Sequence, residues 1–308
     1  MIKNILTSRW IRLAFSAGLI YLAFRKVNVI SVVREIKFVP WWFVILYLIY
    51  GFLSYLVGAY RWGMLLFGRP GIDRVWSLVK ASYLAGLYGL FLPSAVVTDL
   101  VKWLPLKEQY PELTKARLFS SVVVDRVVGF GAYVVVALTA LLIGKMSGFD
   151  FPIYLLWLFL GLMVGVVGLY AVTFTFDVEK IILKIRIWKF HRLVEIARII
   201  KDEDKRRLVR CFLVSVLGEF IWIVPVWFIS LILGAGMSLL SVFIFMPVIG
   251  LILILPISVA GFGAREGLCL FFFGQLGLAS EKILAVSTLG GLLGIVGAII
   301  GGIIALFF

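Results

Sequence analysis

The chain has 308 residues, of which 63% are hydrophobic and only 15% are charged. Soluble domains are about 45–50% apolar and about 25% charged, so this composition, with a mean hydropathy of +1.13, excludes an ordinary soluble domain and indicates a membrane protein. The net charge of +14 lies beside apolar runs, where basic residues set membrane orientation and meet anionic headgroups, so it does not indicate nucleic-acid binding.

The residues that usually carry catalysis or metal binding are scarce. His191 is the only histidine, which excludes a histidine cluster and a Ser-His-Asp triad. Cys211 and Cys269 both lie in apolar runs and are expected to be small core residues. The sequence also lacks a P-loop. We therefore expect no enzyme activity, no cofactor and no metal site.

Continuous apolar runs predict an all-α, multi-pass bundle, because barrel strands would show alternating hydrophobicity instead. The first run is short and follows a basic N-terminus, and we expect it to be a retained helix. Six runs are predicted to be full spans, in chain order about 13–24, 39–60, 118–143, 153–174, 211–233 and 284–308.

Polar segments separate these runs. Residues 25–38 form the first, and Arg61, Arg69 and Arg74 mark a basic loop that contains the turn Gly68-Arg69-Pro70-Gly71. Residues 177–210 form the longest, with 11 Lys or Arg against 6 Asp or Glu. We expect this segment to be amphipathic, interfacial and cytoplasmic, within one integral membrane domain that covers 1–308.

Two further apolar runs are interrupted. Residues 77–105 are broken at Pro93, and 239–277 at Pro256 and the Gly261-Phe262-Gly263 turn. The Lys/Arg distribution places the N-terminus, 61–76, 102–117, 177–210 and the C-terminus in the cytoplasm, so each broken run must enter and leave on one face. We therefore predict two re-entrant hairpins of opposite sense, as in inverted-repeat transporters. The alternative is that each proline only kinks an ordinary helix.

Several charges lie within apolar runs. Asp125, Arg126 and Glu219 are about 12 Å from the nearest polar loop at 1.5 Å per residue. Two further pairs, Asp99 with Lys102 and Arg265 with Glu266, lie beside the breaks. Buried charges persist when they are paired or face a wet cavity, so they are either structural ion pairs, such as Asp125 with Lys102 or Glu219 with Arg126 or Arg265, or a polar ligand site.

The breaks favour an anionic ligand. A helix that starts after Pro93, with Ser94 as a cap, or near Ala264, directs N–H groups and the positive end of its dipole toward the membrane interior. Such helix ends suit phosphate or carboxylate groups. Gly290, Gly294, Gly297 and Gly301 form a small-residue stripe on the last helix, which is typical of close packing.

Three motifs resemble those of a known family. Leu92-Pro93-Ser94, with Asp99 and Lys102, is similar to its Leu-Pro-x-x-Gly-Gly-Asp-x-x-Arg pattern, although Val96-Val97 replaces the glycines. Asp125-Arg126-Val127-Val128-Gly129 resembles its Glu/Asp-Arg-x-x-Gly, and residues 255–266 resemble its Pro-x-Ser-x-Gly-Gly-x-Gly-x-Arg-Glu. The family is the flippase-like transmembrane region of lysylphosphatidylglycerol synthases and its stand-alone relatives.

This resemblance implies lipid translocation. The chain shows no aminoacyl-transferase domain, so lipid aminoacylation is not expected. We expect a plasma-membrane protein that moves an anionic phospholipid or a polyprenyl-phosphate-linked lipid between leaflets. The predicted hinges are Pro93 and Pro256. The predicted ligand-binding residues are Ser94, Asp99, Lys102, Asp125, Arg126, Glu219, Ser258, Gly261, Gly263, Arg265 and Glu266.

Two alternatives remain open. The first is a membrane-embedded lipid transferase that uses Asp99 or Asp125 as a general base. The second is a non-catalytic partner subunit of a separate glycosyltransferase or synthase. Product formation from a lipid donor would identify the transferase, and co-purification without leaflet exchange would identify the subunit.

Overall fold

A computed structural model describes residues 29–37, 39–90, 102–175, 204–255, 258 and 261–307. The regular structure in these ranges is entirely helical, as the sequence predicts. The helices, in chain order, are α1 Val29–Lys37, α2 Trp41–Phe67, α3 Ile72–Gly89, α4 Leu104–Gln109, α5 Lys115–Met146, α6 Tyr154–Thr175, α7 Lys205–Ile232, α8 Leu239–Leu253, α9 Ala264–Gly274 and α10 Ser280–Phe307.

Four of these helices, α2, α5, α7 and α10, are long and apolar enough to cross a membrane. Two shorter apolar stretches, Tyr154–Gly168 in α6 and α8, accompany them. The outer surface is itself apolar: α6, for example, exposes Trp157, Val164 and Val167. Such a surface is unfavourable in water but matches lipid. The predicted membrane-embedded helical protein is confirmed, whereas the predicted first span 13–24 lies outside the described residues.

Three boundaries differ from the sequence-based prediction. Residues 29–37 form the amphipathic helix α1 rather than a loop. Helix α2 continues to Phe67, so Arg61 lies inside a helix and not in the following basic loop. Helix α7 begins at Lys205, six residues before the predicted span; of the segment 177–210, residues 177–203 lie outside the described ranges. Helices α2 and α7 extend into polar residues because their backbone hydrogen bonding continues beyond the apolar core.

The helices group into two compact units. The first unit contains α1, α8, α9 and α10, with α2 up to Tyr55, α3 from Ser82 and α7 from Phe220. Here α10 packs against α1 and α9, and α9 packs against α8. The α8–α9 contact is aromatic, because the Phe245 ring lies 5.3 Å from the rings of both Phe272 and Phe273.

The second unit contains α4, α5 and α6, with α2 from Leu56, α3 up to Ala81 and α7 up to Glu219. Helix α5 packs along α6. Thr114 begins α5, since its hydroxyl accepts a hydrogen bond from the Arg117 amide at 3.1 Å. A cluster of buried apolar side chains joins α2, α5 and α7, namely Met64, Leu65, Val124, Val128, Leu208 and Cys211.

The two broken runs differ in how much of each break is described. Residues 91–101, which include Pro93, lie outside the described residues, but the two ends of this run are in contact: Gln109 donates a hydrogen bond to the Ser77 hydroxyl at 2.7 Å. In the second run α8 ends at Leu253 and α9 begins at Ala264. The predicted interruption of 239–277 is therefore confirmed, although Pro256 itself lies outside the described residues.

Candidate functional site

Among the residues that the structure describes, polar side chains inside the helices form two main groups, one within each unit. The first group, in the second unit, consists of Arg61, Lys102, Asp125 and Ser215, and we call it the Asp125 cluster. The second group lies around Arg265 in the first unit and opens into a cavity, the Arg265 cavity.

Asp125 lies on α5 with its side chain only 3% exposed. Arg61 of α2 binds both carboxylate oxygens, with Nε 2.7 Å from Oδ1 and Nη2 3.0 Å from Oδ2. Lys102 Nζ donates to the same Oδ2 at 3.2 Å. The predicted pairing of Asp125 with Lys102 is therefore confirmed, and Arg61 is an additional bidentate partner of the kind that binds carboxylates most strongly.

The surroundings hold these cations in place. Arg61 Nη1 donates to the Ser215 hydroxyl at 3.1 Å, which ties α7 to α2. The Lys102 ammonium lies 4.4 Å from the centre of the Trp62 ring, a cation–π contact. Trp62 in turn donates its indole N–H to the Ser121 hydroxyl at 2.9 Å. Every polar group of the cluster therefore has a partner, which is typical of a structural network.

Two predicted site residues lie near this cluster. Glu219 of α7 is half-buried and attracts Arg61 and Arg126 electrostatically. Arg126 follows Asp125 on α5 but is exposed, because consecutive helical residues point in different directions.

The Arg265 site begins at the break after α8. Gly261 and Gly263 have φ of +79° and +78°, a backbone conformation that favours glycine. This turn directs the chain into α9, where Arg265 and Glu266 occupy the first turn. The two glycines of the sequence motif are thus needed to place Arg265 immediately after the break.

Glu266 stabilises this turn from inside. It is 1% exposed, and its Oε2 accepts a hydrogen bond from the Gly263 amide at 2.7 Å. Its Oε1 accepts from Arg265 Nη2 at 3.0 Å and from the Ser287 hydroxyl at 3.3 Å. The Gly263 amide is therefore satisfied by the protein itself, so a ligand anion at this helix start must be bound by the arginine side chain rather than by that N–H.

The Arg265 guanidinium keeps an unused donor. It lies 5.2 Å from the centre of the Phe262 ring and contacts the backbone face of Gly291 on α10. Its Nε is buried and has no hydrogen-bond partner among the described residues. A buried N–H without a partner is costly, and the cost is removed when a ligand oxygen accepts from it.

A cavity of about 470 Å³ opens in front of this arginine. Most of its polar lining comes from hydroxyl and aromatic groups, and Tyr47 donates its hydroxyl to the Gly290 carbonyl at 3.2 Å. Arg265 is the only charged residue among the described lining residues. The aromatic, hydroxyl and charged lining residues are Tyr47, Tyr50, Ser54, Tyr55, Tyr83, Trp222, Arg265, Phe273 and Ser287.

A proline on α7 and a row of glycines on α10 line this cavity. Pro225 lies inside α7 and has no N–H, so the carbonyl of Ile221 loses its usual helical donor, and both residues line the cavity. On α10, Gly290, Gly294 and Gly297 also line it, whereas Gly301 lies against the Tyr83 ring. The glycine stripe therefore forms a cavity wall along most of its length and a packing contact at one position.

Sequence reasoning identified some of these residues and missed others. It selected Arg265, Glu266, Asp125 and Lys102, which the structure places in the two groups. It missed Arg61 and the cavity tyrosines because no motif surrounds them in the sequence. The only hint for Arg61 is that the apolar run 39–60, at 22 residues, is shorter than α2. Ser258 lies half-buried in the break. Four predicted residues, Ser94, Asp99, Pro93 and Pro256, lie outside the described residues.

Comparison with known families gives one match. A family model described as the lysylphosphatidylglycerol synthase TM region matches residues 9–302, nearly the whole chain. Searches of the curated proteins and of the solved structures found no match. The match includes all three motifs noted in the sequence and connects the chain to lipid modification or flipping. The chain therefore belongs to the family of lysylphosphatidylglycerol synthase transmembrane regions.

Proposed function

We propose that this protein translocates a phosphate-bearing anionic lipid, a phospholipid or a polyprenyl-phosphate-linked lipid, between membrane leaflets. The observation that supports this most directly is the Arg265 cavity. It places one arginine with an unused buried donor in a space bounded by helices α2, α7, α9 and α10. A lipid headgroup could occupy this space while its acyl chains remain in the bilayer.

The chemistry of the cavity favours an anion. Guanidinium binds phosphate through directed hydrogen bonds, and a low-polarity environment strengthens each of them. The tyrosine hydroxyls and the Ile221 carbonyl add neutral donors and acceptors for the rest of a headgroup. Glu266 already pairs with Arg265 and offsets its positive charge. The site therefore suits weak, reversible binding of an anion, which transport requires.

The transferase alternative has less support. Both oxygens of Asp125 are occupied by Arg61 and Lys102, so Asp125 cannot accept a substrate proton without losing an ion-pair contact. Asp99 lies outside the described residues. The partner-subunit alternative stays open to co-purification.

We further propose that both interrupted segments are re-entrant hairpins arranged as an inverted repeat. Contact between Gln109 and Ser77 supports the first hairpin. Packing of α8 against α9 supports the second. In this arrangement the headgroup would pass the hairpin tips near the membrane midplane, where transporters of this design place their sites.

Leaflet exchange in proteoliposomes tests the function. Fluorescent phosphatidylglycerol and polyprenyl phosphate are compared with fluorescent phosphatidylcholine by accessibility to a membrane-impermeant quencher. The native protein should exchange at least one anionic lipid faster than the zwitterionic one. Arg265→Gln should slow that exchange by about 10- to 100-fold, since a charge-assisted hydrogen bond contributes about 1.5–3 kcal/mol.

Two controls make the result specific. Arg265→Lys keeps the charge without the planar donor set and should retain intermediate activity. Arg34→Gln removes an exposed arginine of α1 and should leave exchange unchanged. Equal exchange of anionic and zwitterionic lipids, or native activity in Arg265→Gln, would refute the proposed role of the cavity.

A further inference from the structure

A second pocket lies at the polar ends of α2 and α7, entirely within the second unit. Its volume is about 800 Å³, and four arginines line it: Arg69, Arg206, Arg207 and Arg210. Asp204 is the only acidic residue among the described lining residues. The lining therefore carries three more positive than negative charges. The lining of the Arg265 cavity contains only a single described cation.

Most of this positive charge lies at the N-terminal end of a helix, where positive charge is least favourable. Arg206, Arg207 and Arg210 lie in the first two turns of α7, whose N-terminal dipole is positive and whose first turn contains no acidic residue. Arg206 and Arg210 are also one turn apart, so they repel each other on one helix face. Asp204 partly offsets this by accepting a hydrogen bond from the Arg206 amide at 2.9 Å. A bound anion would remove the remaining repulsion.

Three residues of the turn after α2, Gly68, Arg69 and Pro70, also line the pocket. Gly68 has φ of +76°, and the Arg207 guanidinium lies against it so closely that a methyl group there would be 3.1 Å from Nη2. Gly68 and the Arg207 guanidinium therefore lie side by side in the lining of the pocket. The turn is not part of the proposed transport site. It helps to form this pocket and does more than connect α2 to α3.

The inner wall is apolar. Tyr60, Met64 and Phe67 of α2 line it, and the seven steps of helix from Tyr60 to Phe67 give it a length of about 10 Å along the axis. Arg74 packs its guanidinium 4.6 Å from the Phe67 ring centre. The pocket therefore combines a cationic rim with an apolar wall that runs into a membrane-spanning helix, which fits a phosphate group attached to acyl chains better than a free ion.

We propose that this arginine pocket is a second anion-binding site that takes the phosphate of an anionic phospholipid at the membrane surface. The Arg206, Arg207 and Arg210 guanidinium groups bind the phosphate, and the α2 wall receives the start of an acyl chain. The site is separate from the Arg265 cavity and does not depend on transport.

Binding to purified full-length protein in detergent tests this site. Arg265→Gln serves as the background in all samples, so that the first cavity does not contribute. Short-chain phosphatidylglycerol, short-chain phosphatidylcholine and inorganic phosphate are titrated calorimetrically. Phosphatidylglycerol should bind at least tenfold more tightly than either of the other probes. Adding Arg207→Gln and Arg210→Gln together should weaken its binding by a further tenfold or more.

The matched control removes the same charge elsewhere. Arg34→Gln with Lys115→Gln deletes two exposed cations outside the pocket and should change the affinity less than twofold. In the protein without pocket substitutions, a photoreactive phosphatidylglycerol should label peptides from 60–70 or 204–210, and this readout does not depend on how well a variant folds. Equal loss in both double variants, equal affinity for inorganic phosphate, or labelling only elsewhere would overturn the proposal.

Discussion

At the residue scale, the two acidic side chains Asp125 and Glu219 occupy different surroundings. Asp125 is buried and makes ion pairs with Arg61 and Lys102. Glu219 is half-buried and interacts with Arg61 and Arg126 by longer-range attraction. The sequence places both at similar depth and cannot separate them, because depth depends on position along the helix whereas pairing depends on what neighbouring helices present.

This difference predicts effects on stability of very different size. Asp125→Asn removes the anion and leaves two buried cations without it, so unfolding should become easier by about 3–5 kcal/mol. Glu219→Gln should change stability by less than about 1 kcal/mol. Thermal unfolding in detergent, followed by circular dichroism, measures both.

A second substitution tests whether unpaired buried cations cause the loss of stability in Asp125→Asn. Lys102→Met added to Asp125→Asn removes one stranded cation and should recover part of the loss. If Asp125→Asn instead keeps a native melting temperature and loses leaflet exchange, the cluster is a hydrated functional site, and its assignment as a structural network is wrong.

Gly291 provides a residue-scale test of the Arg265 position. A methyl group at Gly291 would collide with the Arg265 guanidinium, whereas one at Gly294 would meet no atom within 4 Å. Because an arginine head can move, Gly291→Ala should change stability by less than about 1 kcal/mol yet displace the guanidinium and reduce leaflet exchange severalfold. Gly294→Ala, on the same helix and cavity wall, is the matched control. Equal exchange rates in the two variants would show that the exact place of the guanidinium is unimportant.

At the element scale, the α10 glycines show what periodicity can and cannot predict. Their spacing correctly indicates one small-residue face. It does not show that Gly290, Gly294 and Gly297 line a cavity while Gly301 meets Tyr83. The face is a property of α10 alone, but its neighbours come from α2, α3 and α7, which are distant in sequence.

Helix packing at Gly301 can be tested directly. A methyl group there would overlap the Tyr83 ring, which is stacked on Tyr55 with ring centres 4.0 Å apart. Gly301→Ala should therefore destabilise the protein by about 1–3 kcal/mol, as overpacking usually does. Chemical denaturation in mixed micelles gives the comparison with Gly294→Ala, which should be neutral or slightly stabilising. Unchanged stability of Gly301→Ala would mean that Tyr83 simply moves aside.

The sequence predicted helix types better than helix ends. Apolar runs identified α5, α6 and α10 and the interruption between α8 and α9, because hydrophobicity and glycine act locally. Helix α1 and the extension of α2 through Arg61 were missed. The extension of α2 is possible because Asp125 receives the Arg61 side chain, a contact that the sequence does not show. The family was recognised because its motifs lie in short continuous segments.

At the scale of the whole molecule, the path of the chain through the membrane decides whether a transporter architecture is present. The positive-inside pattern requires 77–105 to start and finish on one face. The structure brings these ends together, with Gln109 bonded to Ser77 and the Tyr110 ring 5.2 Å from the ring of Phe67 at the end of α2. A simple membrane crossing would separate them by about 30 Å.

Single-cysteine labelling tests this path in intact membranes, after the buried Cys211 and Cys269 are replaced by alanine. Gly71→Cys and Gln109→Cys should react with a membrane-impermeant maleimide from the same side. Ser147→Cys, at the far end of α5, should react from the opposite side, because α5 is a 32-residue helix that is about 48 Å long at 1.5 Å per residue. This third position shows that the assay distinguishes the two faces. Labelling of Gly71→Cys and Gln109→Cys from opposite sides would contradict the re-entrant hairpin, and with it the inverted repeat on which the proposed route for a lipid headgroup depends.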